Sequence, residues 1–523
     1  MIVAARPSSR ALAQLRVRAP ALVATCLVGV TVVLHYAALH EVPPGFFADE
    51  ASVAYDAWGI ATDGRDEHGA AWPVVFQSFG TWRCSLFVYA EALAFKLAGP
   101  GVGQARAVAT TLSLATAALL GVLIWRLFSA RWLAVATFLV ASLTPWLFTF
   151  GRSAFEPVSL PLVLAAFLVA WHRAGSSGGW RWGYVAGAVL GLSVYAYISA
   201  WLYAPLLCAA LALSELPRIR WRLMLATGAG AVAAMLPLAL FLHDRPDVLT
   251  ARYHVIQVWQ PGHPLVENMG RVWRVYTSGF SPSYLFGQAS FIQGGEFFSI
   301  LAAALAIGLV ALWSVRRERF WRFCFLGLLL APVPGAVTGD FSHEVRNLEA
   351  LPFFFAIMAL GVWRVTPLLT RERVAAAALA GLLAAQSIWF LSDYFTRVEG
   401  RMSYWQVAGF EQAVRDATTL AHGRTIELAP DLFSAEAGDP ETAAVPFAFF
   451  AGEPVPVYRK AGIAGVNARI VPTGQSFDAG IVITTPAVQL PNARLLERVT
   501  VSSIDDWGQR QARPAFLIWD VPA

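Results

Sequence analysis

The sequence predicts an α-helical, polytopic membrane protein of about eleven transmembrane helices, with a small C-terminal α/β domain outside the cytoplasm. Three observations carry that prediction. Hydrophobic residues make up 57% of the 523 and charged ones only 14%, where a soluble domain of this size carries roughly a quarter. Apolar runs long enough for a bilayer core recur along the chain. Arginines gather in every second connection between those runs.

The runs fall at about 21–40, 107–125, 132–150, 157–172, 183–200, 201–213, 223–242, 297–315, 323–338, 348–363 and 374–392. The first follows Arg6, Arg10, Arg16 and Arg18. It is long enough to span and no small-x-small cleavage site follows it, so it reads as an uncleaved first helix. Basic clusters then recur at Arg126/Arg131, Arg173/Arg181, Arg218/Arg220/Arg222, Arg316/Arg317/Arg319/Arg322 and Arg364/Arg371/Arg373. The positive-inside rule puts these clusters and the N-terminus in the cytoplasm and the C-terminus outside, in a plasma or inner membrane. Segment 183–213 has basic clusters on both flanks, so it must cross twice, with a break near 197–205. Segment 85–98 is short and carries Glu91 and Lys96. Counting it as a span would invert every later connection, so it reads as a helix lying in or against the membrane surface.

Beyond 393 the charge rises, and short β-type runs at 425–428, 455–458, 480–484 and 515–519 follow a helical stretch at 409–420. The expected organisation is a membrane domain over 1–392, whose first outer loop (41–106) carries the active site, and an α/β domain over 393–523.

Composition also narrows the function. Lys96 and Lys460 are the only lysines, and the arginines behind the +5 net charge lie in short clusters between apolar runs. That is not a nucleic-acid footprint. Cys26, Cys84, Cys208 and Cys324 are scattered, with neither a disulfide framework nor a zinc spacing. A transporter or lipid flippase is the alternative class, but such proteins place ionisable residues near the bilayer midplane. Here the helix centres are almost free of them, and charge crowds the outer surface, as an enzyme acting at that surface requires.

The first outer loop, EVPPGFFADEASVAYDAWGIATDGRDEHG, holds the densest chemistry. Pro43-Pro44-Gly45 stops the first helix as it leaves the membrane. Asp49 and Glu50 follow within a few residues, flanked by Phe46 and Phe47, which suit the interface. A carboxylate pair there is placed to act on a substrate half in lipid and half in water. An Asp at the start of a short helix also satisfies free backbone amides, and spacing alone leaves the two roles open. In the turn GRDEHG, Asp66, Glu67 and His68 offer ligand atoms for a divalent metal. Adjacent turn residues rarely complete a first shell, so a solvated polar turn is the plainer reading and no cofactor is required.

The run DEASVAYDAWGIATDGRDEHGAAWPVVFQSFG resembles the first-loop signature of glycosyltransferase family 39-like proteins of the GT-C superfamily. That superfamily includes protein O-mannosyltransferases and lipid A aminoarabinose transferases. GRSAFEP (151–157), GLSVYAYISAWLYAPL (191–206), SPSYLFGQASF (281–291) and HEVRN (343–347) extend the resemblance, in order, across the membrane portion. FGTWRCSLFVY (79–89) lacks the Pro and acidic residue of the family pattern. The resemblance implies a polyprenyl-phosphate sugar donor, inversion at the anomeric carbon, and a lipid, glycan or protein hydroxyl as acceptor. It puts the family's acidic pair on Asp49 and Glu50, with Asp49 as general base. A leaving phosphate needs cationic donors, for which Arg346 with His343 comes first and Arg152 and Arg65 are reserves. Asp66, Glu67 and Tyr197 are expected to position substrate, and Glu156 to line the cavity. Snorkelling at a helix end accounts for Arg346 equally well, as packing does for Tyr197.

Overall fold

The computed structural model describes residues 9–523 apart from 178, 250, 252–256, 288–293, 340–342, 404–405, 430–431, 433–439, 473, 505–508 and 523. The side chains of 9–20, 177, 343, 399 and 503–504 are likewise outside the description. Arg6 and the side chains of Arg10, Arg16 and Arg18 therefore lie outside the described residues.

Helix α1 (Ser9–Tyr36) leads into the first outer loop. The loop folds as α2 (Ala48–Asp63), a hairpin of β1 (Val75–Ser78) and β2 (Thr81–Cys84), and α3 (Ser85–Ala98). The bundle continues with α4 (Val102–Phe128), α5 (Arg131–Leu143), α6 (Pro145–Phe150), α7 (Ser159–Ser177), α8 (Trp180–Leu192), α9 (Ala200–Glu215) and α10 (Trp221–Asp244). Helices Leu265–Ser278, Leu301–Val315, Arg319–Leu330, Leu351–Arg371 and Arg373–Met402 complete it. Every expected apolar run lies on helix. Among the described residues six helical segments are long and apolar enough to cross a bilayer, and Ala21–Tyr36, Arg131–Leu143, Ala200–Glu215 and Leu301–Val315 are shorter apolar helices.

Stretch 183–213 is two helices, with a 3-10 turn Ser193–Tyr195 closing α8 and α9 starting at Ala200. Helices α8 and α10 touch backbone to backbone. A Cβ on Gly187 would lie 1.8 Å from the Thr227 carbonyl oxygen, so only glycine permits the approach, as small residues do between membrane helices. At the basic ends, Arg319 donates to the Arg218 carbonyl (2.6 Å) and Arg322 to that of Leu216 (2.8 Å). Clusters far apart in sequence thus meet at one end of the bundle.

The C-terminal region is α/β, as expected. Strands β3 (Ile426–Leu428), β4 (Ala468–Ile470), β5 (Gly480–Thr484), β6 (Arg494–Ile504) and β7 (Arg510–Val521) form one sheet in the order β4-β3-β5-β7-β6. β3 pairs in parallel with β4 and β5, while β5, β7 and β6 are antiparallel. Residues 455–458, expected as strand, instead begin the helix Val455–Ala461. Pro454 and Pro456 explain the difference: proline suits a first helical turn and removes the N–H a ladder needs. β4, β6 and the helix Glu441–Ala451 had no expectation.

This domain is not a separate body. Phe46, Tyr55, Phe76 and Phe87 of the first loop share one apolar core with Phe410, Phe447, Ile481 and Ile518. Phe46 stacks on Phe449 at 5.6 Å. Gly45 adopts φ +74°, and a Cβ there would sit 2.1 Å from the Gln406 carbonyl oxygen. The exit of α1 is therefore pressed directly against the segment that leads into the C-terminal domain.

Candidate active site

The site is built on the way α1 ends. A helix terminus leaves carbonyl groups without intrahelical partners, and near a bilayer these must be bound internally. Two fully buried arginines do so. Arg152 donates to the carbonyls of Leu34, His35, Ala37 and Val42, at 3.1, 2.7, 2.6 and 2.8 Å. Arg106 on α4 donates to those of Leu39, Pro43 and Gly45, at 3.1, 2.6 and 2.5 Å. Arg106 also pairs with Glu50, Nε to Oε1 and Nη2 to Oε2 both at 3.2 Å. Glu50 is itself wholly buried and accepts from the backbone N–H of Ala154 (2.6 Å) and Phe47 (3.3 Å). Both its oxygens are committed to holding the start of α2.

Asp49 sits one residue earlier in a different setting. Its side chain is 37% exposed, and its Oδ1 lies 3.7 Å from Nη2 of Arg83, which is 5% exposed. Nε of Arg83 lies 3.7 Å from Oε2 of Glu156. Its Nη2 also donates to Ser78 Oγ, which is 3.2 Å from Ser52 Oγ on α2. The β1–β2 hairpin, with Ser78 opposite Thr81 and Val75 opposite Cys84, delivers Arg83 to this place. Nε and Nη1 of Arg83 have no hydrogen-bond partner among the described residues. A buried guanidinium with unmet donors is costly, and here the carboxylates of Asp49 and Glu156 offset its charge from 3.7 Å.

Three further carboxylates lie behind Arg83. Asp56 is buried and accepts from the Glu67 N–H at 3.2 Å; Glu67 and Glu91 are buried too. Burial pushes the Asp56 carboxyl up to about 7 and holds those of Glu67 and Glu91 well above the usual carboxylate range; the Arg83 charge opposes the shift in all three.

The GRDEHG turn faces the C-terminal domain. Asp66 Oδ1 accepts from the N–H groups of His68 (3.0 Å) and Ala70 (2.7 Å), which closes the turn. Arg459 donates to the carbonyls of Asp66 (2.7 Å) and Arg65 (2.9 Å) and to both oxygens of Asp63. Arg65 itself is exposed and donates to the Gly69 carbonyl at 2.8 Å. His68 lies 3.2 Å from Glu441, which raises the imidazole and lowers the carboxylate. Among the described residues no group of three or more His, Cys, Asp or Glu is arranged to hold a metal ion.

The remaining motifs gather at the same end of the bundle. Glu156 of GRSAFEP meets Arg83, and Cys84 Sγ donates to the Val194 carbonyl in the α8–α9 hinge at 3.3 Å. Tyr197 lies half-buried in that hinge against the helix core, and Ser199 beside it donates to Glu349. Trp146 packs edge-on against Tyr284 of SPSYLF and donates to the Glu344 carbonyl of HEVRN at 2.7 Å; residues 288–291 of the former motif lie outside the described residues. Arg346 donates to the carbonyls of Thr338 (3.0 Å) and Gly339 (2.7 Å). Just before them, Val333 and Val337 help line an apolar groove of about 590 Å³ with Trp259, Met269 and Trp273. His343 opens the short helix His343–Arg346, its side chain outside the description.

Arg83 is the residue that sequence reasoning missed. A signal existed: it is one of only three arginines in loop 41–106, on the side of the membrane where arginine is scarce.

No family model matches the sequence, and none of the curated proteins does. Solved structures do match. ArnT from Cupriavidus metallidurans in the apo state superposes with a TM-score of 0.61 at 12% identity, over 96% of this chain and 98% of that one. The same protein bound to undecaprenyl phosphate gives 0.57 at 13% identity, over 95% and 97%. The fold is that of ArnT. The likeness spans membrane helices, first outer loop and C-terminal sheet alike, and the expected helical membrane fold with a small C-terminal α/β domain is borne out.

Proposed function

We propose that the chain is a membrane glycosyltransferase that moves a sugar from a polyprenyl-phosphate donor to an extracytoplasmic hydroxyl with inversion, using Asp49 as general base. One observation carries the reading. Within an ArnT fold, Asp49 is the half-exposed carboxylate of the acidic pair and stands 3.7 Å from a buried arginine with donors to spare. An ArnT structure that holds undecaprenyl phosphate supports the donor class.

In this scheme Asp49 takes the proton from the acceptor hydroxyl as its oxygen attacks the anomeric carbon. The bond from that carbon to the phosphate oxygen breaks on the opposite face, and polyprenyl phosphate leaves with the electron pair. Arg83 and Arg346 are the cations suited to that developing charge. Arg346 donates to the carbonyls of Thr338 and Gly339, next in sequence to Val337 of the apolar groove, which suits an isoprenoid chain. Arg152 is committed to the α1 carbonyls and has a scaffolding role. Glu50 fixes the start of α2 so that Asp49 is aimed, and Asp66 and Glu67 position the loop. The acceptor is a lipid, glycan or protein hydroxyl. The membrane unit is taken as 1–392 and the outer unit as 393–523, with the N-terminus cytoplasmic, the C-terminus outside and eleven spans in an inner or plasma membrane.

The test is Asp49→Asn in proteoliposomes supplied with a polyprenyl-phosphate sugar. Transfer should fall by about 10²- to 10⁴-fold, the usual share of a general base, while the protein stays folded. Near-normal turnover would overturn the assignment.

A further inference from the structure

Helix α7 begins at Ser159, beside Glu156 and Arg83, and ends at Ser177, about 28 Å away along its axis. That is the thickness of a bilayer's hydrocarbon core. At this far end lies a second, entirely different cavity of about 700 Å³. Five arginines line it: Arg218, Arg220, Arg317, Arg319 and Arg322, with Trp171 as one wall.

The cavity is organised rather than merely basic. Glu215, wholly buried, accepts from Arg220 at 2.5 Å and pairs with Arg319 at 3.4 Å, which fixes those two guanidinium groups. Arg220 also stacks over the Trp171 ring at 5.7 Å. Arg322 donates through Nη1 to the Leu216 carbonyl, while its Nε is buried with no hydrogen-bond partner among the described residues. Arg218, Arg317 and Arg322 have no acidic ion-pair partner among the described residues. Among the described residues at the cavity, Glu215 and Glu318 oppose the five arginines, which leaves an excess of three positive charges there. Helices Trp221–Asp244 and Arg319–Leu330 both begin at this wall, so their N-terminal dipoles add to the same field.

The depth is marked as well. Trp180, Trp221 and Trp313 are exposed, with Arg181, Arg222 and Arg316 lying over their rings. Exposed tryptophans in such a belt sit at lipid headgroup level. The positive-inside rule accounts for arginines at this end, but it asks only for their number. It does not ask for guanidinium groups locked by a buried carboxylate around a concave wall with an unmet donor.

We propose that this cavity binds the headgroup phosphate of an anionic phospholipid. Basic pockets between membrane helices are suited to such headgroups. The site is independent of the Asp49 chemistry, since nothing in it depends on what the outer face does.

The test uses the full chain reconstituted with phosphatidylglycerol and phosphatidylcholine, then released for native mass spectrometry. Phosphatidylglycerol should be retained in preference. In Arg218→Gln/Arg317→Gln/Arg322→Gln its retention should fall about fivefold per arginine removed. The control is Arg222→Gln/Arg316→Gln, which removes charge from the same connections without touching the cavity, and should leave retention unchanged. Equal loss in both variants would reduce the effect to general surface charge and overturn the site. So would equal retention of phosphatidylcholine, or unaltered retention in the triple variant. Occupancy by inorganic phosphate without lipid retention would make it a free-anion site and overturn the lipid assignment.

Discussion

Two arginine-centred regions lie side by side at one end of the helix bundle, and they use the same side chain in opposite ways. At the exit of α1, Arg106 and Arg152 donate to eight backbone carbonyls between them, and Arg106 pairs with Glu50. On the hairpin, Arg83 is buried too but reaches Asp49 and Glu156 only at 3.7 Å, and its Nε and Nη1 have no hydrogen-bond partner among the described residues. The two regions differ in what their arginines hold. A buried cation bound to main-chain carbonyls fixes the backbone around it, whereas Arg83 meets only side chains, those of Ser78, Asp49 and Glu156. The same contrast divides the two neighbouring carboxylates: Glu50 belongs to the first region, Asp49 to the second.

The comparison breaks if the two arginines fail in the same way. Arg106→Gln leaves Glu50 buried without its partner, which costs about 3–5 kcal/mol. Most of the folded protein should be lost, as read by monodispersity and thermal unfolding in detergent. Arg83→Gln should instead retain the fold and lose transfer, by about 10²- to 10³-fold for a removed charge-stabilising donor, with Arg83→Lys recovering part of it. An Arg83 variant that unfolds while keeping its specific activity would return Arg83 to the scaffold.

How much of this was legible follows from where each constraint originates. The bilayer acts as solvent along the whole chain, so arginine spacing alone predicted that 183–213 turns back, and it does at 196–199. The helix exit at Pro43-Pro44-Gly45 marked the acidic pair for the same reason. Which member of the pair is buried was not legible, because Arg106, 56 residues later, decides it. Arg83 was hidden likewise: its neighbours come from residues 49, 78 and 156, and only the hairpin register brings them together. The docking of Gly45 and Phe46 onto the C-terminal domain had no local signal at all, since the partners lie some 360 to 400 residues away.

A smaller effect sharpens the contrast from behind Arg83. The Asp56 carboxyl is raised to about 7 by burial. A carboxyl raised on folding stabilises the protein below its unfolded value near 3.8, and that contribution disappears as pH rises through about 7. Asp56→Asn should therefore gain on wild type in thermal stability as pH is raised across that window. A gap that does not widen with pH would mean that Asp56 stays paired with Arg83 in its charged form throughout.

The smallest effect concerns how the loop that carries the site is held. His68 and Glu441 sit 3.2 Å apart, each about a third exposed or less, across the boundary between the first loop and the C-terminal domain. The imidazole is raised by Glu441, so its share of stability is present below its unfolded value of 6.5 and is lost as pH climbs through the folded one. The carboxylate is lowered, so its share is present above 4.5 and is lost on acidification. The pair therefore works in the window between. Glu441→Gln should cost under about 1 kcal/mol at about pH 6, as exposed pairs do, and almost nothing at about pH 9, where the imidazole is neutral. A cost that persists undiminished at the higher pH would show that packing and Arg459, not this charge pair, hold the GRDEHG turn in place. The loop's aim at the site would then rest on the Asp63–Arg459 contacts at 2.6 and 2.7 Å.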